Sequence, residues 1–120
     1  MFLNISNHPS QKWGESQKSE AERNGEIVDI PFPNIPPHFT GEEVKSLARD
    51  MAKAIYRDYD SPFWGDMAMV QGEFSFTHHL TSDLKALGWM VVVACSERVV
   101  EDLPDGGKKT TFNFVQFREV

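Results

Sequence analysis

The chain has a single cysteine, Cys95, so no disulfide can close within it. That thiol lies in an apolar run, where it reads as a small buried hydrophobe rather than a nucleophile. Long hydrophobic stretches are also missing: the longest, Trp89 to Cys95, is far too short to cross a bilayer. There is no excess of basic charge either. Lys plus Arg number 12 against 18 Asp plus Glu, a net charge of −6, which disfavours long nucleic acid and anionic membranes as partners. The amino end turns polar at Asn4 without a basic start or a cleavage site, so the expected location is cytoplasmic. The GxGxxG, Walker, HExxH and GxSxG signatures are absent. His78 and His79 are adjacent, which on a helix sets them roughly 100° apart and unsuited to share a metal. No metal site and no cofactor is expected.

What is present suits an ordinary globular domain. With 120 residues, 40% of them hydrophobic, the chain can build one core and has no room for a second domain, so residues 1–120 read as one unit. Phe2 to Ser6 reads as a strand, and Gln11 to Arg23 as a helix capped by Ser10 and weakened by Gly14. Ile27 to Phe32 reads as a second strand, followed by an extended proline-rich connection. Thr40 and Glu43 form a capping box, and Val44, Leu47, Ala48, Met51 and Ile55 recur at helical spacing as far as Tyr59, with a break at Asp60-Ser61-Pro62. A short strand follows at Met67 to Val70. A helix with Phe76, Leu80, Leu84 and Leu87 inward comes next, closed by Gly88. Trp89 to Cys95 reads as a covered strand, and after Ser96-Glu97-Arg98 a hairpin runs from Val99 to Leu103 and back from Thr110 to Val120. This alternation predicts an α/β, compact Rossmann-like fold. Its sheet is mostly parallel, with helices on both faces and a C-terminal β-hairpin.

Ligands of open parallel sheets bind beyond the carboxyl ends of the strands. That rule selects three stretches: Asn7-His8-Pro9-Ser10, Gln71-Gly72-Glu73-Phe74 and Cys95-Ser96-Glu97-Arg98. The first two lead into helix starts, whose free amides can hold a phosphate on an acidic protein. As a histidine, His8 can act as acid or base, while Ser10 and Lys12 can meet an anionic oxygen. Each also has a bland reading: a His-Pro-Ser turn that starts a helix needs no function, and Trp13 packs on the sheet as readily as on a base. Gly72 admits a close backbone approach or merely a tight turn, and Glu73 suits a helix start or a ribose hydroxyl. Arg98 can clamp a phosphate or pair with a neighbouring Glu97. Lys45, Arg49, Lys53 and Arg57 recur every fourth residue, a stripe that reads as a solvated face.

The start Phe2-Leu3-Asn4-Ile5-Ser6-Asn7-His8-Pro9-Ser10 with Trp13, the Gln71-Gly72-Glu73-Phe74 stretch, and Ser96-Glu97-Arg98 before a terminal hairpin resemble small CRISPR-associated proteins of the CARF-like, ring-nuclease kind. The resemblance covers nearly the whole chain in element order. It implies a homodimer that binds cyclic oligoadenylate and opens it by metal-independent attack of a ribose 2′-hydroxyl, ending a type III CRISPR response. The alternative within the same fold is a non-catalytic sensor or adapter for the same messenger. Under this resemblance His8 or Glu73 would be acid or base, and Ser10, Lys12 and Arg98 would bind phosphate. Asn7, Gln71 and Ser96 would contact base or sugar. The lysine-rich or serine- and threonine-rich pockets common among CARF domains are not evident in this chain.

Overall fold

The computed structural model of the chain describes residues 1–59, 62–63 and 65–120. Five strands form one sheet: β1 (Phe2–Ser6), β2 (Ile27–Pro31), β3 (Met67–Gln71), β4 (Met90–Asp102) and β5 (Lys108–Glu119). Three α-helices connect the first four: α1 (Glu15–Glu22), α2 (Gly41–Tyr59) and α3 (Phe74–Ala86). The strand order is β2-β1-β3-β4-β5, with β1 to β4 mutually parallel and β5 antiparallel at the edge. The α/β class, the mostly parallel sheet and the terminal hairpin are therefore as expected. No helix among the described residues is long and apolar enough to cross a membrane.

From β1 the chain steps first to one side and afterwards to the other, so right-handed crossovers put α1 on one face and α2 and α3 on the opposite face. Alternation along β1 sorts the core accordingly. Leu3 and Ile5 join Val44, Ala48 and Ile55 of α2 and Phe76, Leu80 and Leu84 of α3. Phe2 joins Ala21 of α1, Met69 and Val92. The capping box at the start of α2 is formed, with the Glu43 amide donating to Thr40 Oγ1 at 3.2 Å and the Thr40 amide donating to Glu43 Oε1 at 3.3 Å. Asp60 and Ser61, where a break was expected, lie outside the described residues. Gly88, at φ +97°, closes α3: the Trp89 amide donates to the Leu84 carbonyl and the Gly88 amide to that of Lys85.

Two elements differ from expectation. The helix predicted over Gln11 to Arg23 is a single 3-10 turn, Ser10–Lys12, followed by extended backbone at Trp13 and Gly14 and only then α1. Ser10 caps nothing, and Gly14 opens α1 without a side-chain cap. Extension at Trp13 lets its ring sit edge-on to Phe2, 6.1 Å between centroids, and beside Phe117 at 6.3 Å. The second difference is that Cys95-Ser96-Glu97-Arg98 is not a loop. It lies inside β4, which continues past the body of the sheet as a two-stranded ribbon with β5.

The ribbon turns at Pro104-Asp105-Gly106, where the Gly106 amide donates to the Leu103 carbonyl and Gly106 takes φ +88°. Near its base the register shifts: Ser96 pairs with Phe114 but Cys95 pairs with Gln116, which leaves Val115 as the extra residue of a bulge. Without that residue, Phe117 would face away from Phe112 and Phe114. With it, Phe117 meets Phe114 at 4.8 Å and Phe2 at 4.8 Å on the α1 face. Deleting Val115 is therefore expected to turn the half-buried Phe117 away from Phe2 and Phe114 and cost about 1–3 kcal/mol, less than the loss of a fully buried phenyl ring. Urea unfolding of the deletion beside Val115→Ala, which keeps the bulge, measures this.

Candidate functional site

At eight residues α1 spans about 12 Å, against roughly 28 Å for α2 with its 19 residues. It covers the Phe2 end of its face and leaves the carboxyl ends of the strands open. Along that face each strand turns polar as it leaves the covered zone: Phe2 gives way to Asn4 and Ser6, Met69 to Gln71, and Val92 to Ala94 and Ser96. The result is a cleft of about 480 Å³. Its floor is Met69 and Ala94, and its sides are Ser6 at the end of β1, His8 just beyond it and Gln71 from β3. Gln17 of α1, Ser96 of the ribbon and Phe112 of β5 complete it. It lies where strand order reverses, and among the described residues no carboxylate lines it.

The first wall is held by a dense set of hydrogen bonds. The His8 carbonyl accepts from Asn4 Nδ2 at 2.9 Å and from the Trp13 indole at 3.1 Å, and lies 3.3 Å from Ser6 Oγ. Ser6 Oγ donates to Asn4 Oδ1 at 2.7 Å and receives the His8 amide at 3.1 Å. On the far side of the cleft, β4 leaves β3 after Val92, and the Gln71 side chain extends the ladder by accepting from the Ala94 amide at 2.9 Å. That contact uses Gln71 Oε1 and turns its amide nitrogen to other partners.

Three of the residues singled out in the sequence meet in this cleft: His8, Gln71 and Ser96, one from each stretch. Arg98 stands on the same ribbon face as Ser96 and pairs in register with Phe112, at the outer end of the cleft. Glu97 falls on the opposite face, by alternation. Asn7 lines neighbouring depressions near Phe32 instead, and Lys12 is exposed beyond the wall. Phe74 is 82% exposed on the α3 side, its ring stacked on His78. Trp13 is a wall strut that packs on Phe2 and Phe117, and its indole is already donating.

The two helix starts singled out in the sequence are bonded from within the chain. At the 3-10 turn the Ser10 amide and hydroxyl donate to Asp29, with the hydroxyl at 3.0 Å from Oδ2. At α3 the Glu73 carboxylate accepts from the Ser75 and Phe76 amides, each at 2.9 Å, and from the Ser75 hydroxyl. The side-chain bond from Ser75, followed by the two amides, holds the Glu73 carboxyl below its ordinary range. The anion that these amides were expected to hold is in each case a carboxylate of the chain itself. Gly72 also has a packing reason: a Cβ there would come within 2.5 Å of the Phe32 ring.

Ser6, Gln17 and Phe112 were not foreseen as cleft residues. Strand alternation from Asn4 would have reached Ser6, but Phe112 needs the ribbon register that sets it opposite Arg98, which the sequence does not announce. Among the described residues no cluster of His, Cys, Asp or Glu is arranged for a metal ion. The model of the uncharacterized protein MJ1673 family matches residues 1–118, and the chain belongs to that family. No curated protein and no solved structure matches the chain.

Two substitutions check these packing and capping roles. Gly72→Ala is expected to cost about 1–3 kcal/mol by crowding Phe32, and Phe32→Leu in the same chain to recover much of it. Glu73→Ala is expected to cost about 0.5–2 kcal/mol near neutrality, as loss of an N-cap does. Because the folded carboxyl is depressed, its contribution is complete above the unfolded pKa and is lost as pH falls through the folded one. Urea midpoints of wild type and Glu73→Ala should therefore converge on acidification.

Proposed function

We propose that the cleft binds a cyclic oligoadenylate and that the chain acts in type III CRISPR signalling by taking up that messenger. One observation carries the reading: the three separated stretches that bear the resemblance each give a side chain to one cleft, at the sheet position where nucleotides bind in open α/β folds. The lining suits the chemistry. Phe112, 69% exposed, offers a ring for adenine to stack on, worth about 1–3 kcal/mol per base. Gln71 and Ser96 present an amide and a hydroxyl to base edges or ribose. A wall without carboxylates among the described residues spares the phosphodiesters local repulsion despite the net charge of −6, and Arg98, opposite Phe112, supplies positive charge at the outer end. A symmetric ring matches two clefts related by a two-fold axis, so a homodimer is part of the proposal.

Binding without turnover is the form the geometry favours, because Glu73 and Ser10 are committed to internal hydrogen bonds. Ring opening is the second reading, and His8 on the cleft wall is what favours it. In that reaction a ribose 2′-oxygen bonds to the adjacent phosphorus and the 5′-oxygen leaves. A 2′,3′-cyclic phosphate forms, and the proton removed from the 2′-hydroxyl ends on the 5′-oxygen. His8 would carry that proton.

Cyclic tri-, tetra- and hexa-adenylate, each incubated with the protein in EDTA, provide the test. The expected result is a raised melting temperature with at least one ring, with that ring recovered intact by chromatography. Phe112→Ala should weaken binding by roughly tenfold. Linear products that slow about a hundredfold in His8→Ala would establish the second reading. Failure of all three rings to bind would refute the proposal.

A further inference from the structure

Asp29 belongs to none of the stretches in which chemistry was expected, and it does not line the cleft. It is nonetheless the acceptor on which the first wall is built. We infer that Asp29 is a positioning residue: carried on β2, it fixes the segment from Asn7 to Trp13 through Asn4 and Ser10, and so sets where His8 stands without touching a ligand. The inference rests on the proposed binding role of the cleft only where affinity is concerned.

Asn4 and Asp29 are register partners on adjacent parallel strands. An ionised Asp only accepts hydrogen bonds, so the Asn4 group facing it must be the amide nitrogen. One Asn4 Nδ2 hydrogen goes to Asp29 Oδ1 at 2.9 Å and the other to the His8 carbonyl at 2.9 Å, while Asn4 Oδ1 accepts from Ser6. Asn4 is 1% exposed, so its amide is satisfied by these protein partners rather than by bulk water. Asp29 thereby dictates the orientation of a buried amide that in turn grips the His8 carbonyl. Its oxygens also take the Ser10 amide and hydroxyl. His8 and Pro9 are thus anchored on both sides by one carboxylate, and Pro9 removes further backbone freedom between the anchors. A neutral amide in place of Asp29 could present a donor to Asn4 and invert the whole set.

The test uses the full chain with Asp29→Ala and Asp29→Asn, beside Val44→Ala as a variant destabilised elsewhere. In ¹H–¹⁵N spectra the Trp13 indole and Asn4 side-chain amide signals are expected to move in both Asp29 variants, with indole exchange about tenfold faster. Those signals should stay in place in Val44→Ala, whose lesion is in the opposite core. With cyclic tetra-adenylate as the probe, Asp29→Ala is expected to bind roughly tenfold more weakly, and adding Asn4→Ala should cost little more. Unchanged indole and Asn4 signals in Asp29→Ala would overturn the inference, as would moved signals with wild-type affinity. If the unaltered protein binds no ring, the proposed function falls, and the spectra still decide whether Asp29 positions the segment.

Discussion

The carboxyl edge of this sheet is governed by one constraint, that a polar group withdrawn from water needs a partner. At the end of β1 the chain meets it internally. Asn4, Ser6, the His8 backbone, Ser10, the Trp13 indole and Asp29 satisfy one another within a few ångströms. At the end of β3 Glu73 does the same for the first amides of α3. The starts of the 3-10 turn and of α3 therefore hold carboxylates of the chain rather than a phosphate, and a ligand of the cleft meets chiefly the side chains left over. Those are neutral and aromatic for the most part, which suits bases and sugars better than bare anions.

The opening itself follows from unequal helices. Both faces of a parallel sheet need cover, and α2 and α3 supply it along the whole of one face. On the other face α1 is short, so the aromatic group of Trp13, Phe2, Phe114 and Phe117 takes over part of the task. What neither covers becomes the cleft. Binding capacity here is a by-product of incomplete layering, placed by topology at the point where the strands fan apart.

Much of the architecture was legible because it is written in periodicities. The capping box and apolar spacing of α2, the glycine that ends α3, and the short covered strands all carry their own signals. The polar stretch Ser96-Glu97-Arg98 carries no strand signal, since a ribbon wet on both sides needs no apolar alternation to remain a ladder. The helix expected over Gln11 to Arg23 failed for a different reason: the side chain of Trp13 gains more by reaching Phe2 and Phe117 than the backbone gains by staying helical. For the site, His8, Gln71 and Ser96 followed from the rule about strand ends. Asp29 could not, because its importance comes from lying opposite Asn4 across 25 residues of sequence.

The β4–β5 ribbon extends some seven residues past its bulge, a reach of about 24 Å. A pivot of about 10° at Val115 would sweep the tip through about 4 Å while shifting Phe112, close to the fulcrum, by much less. Any force applied far out on such an arm would thus be geared down into a finer displacement beside Phe112, as in a calliper.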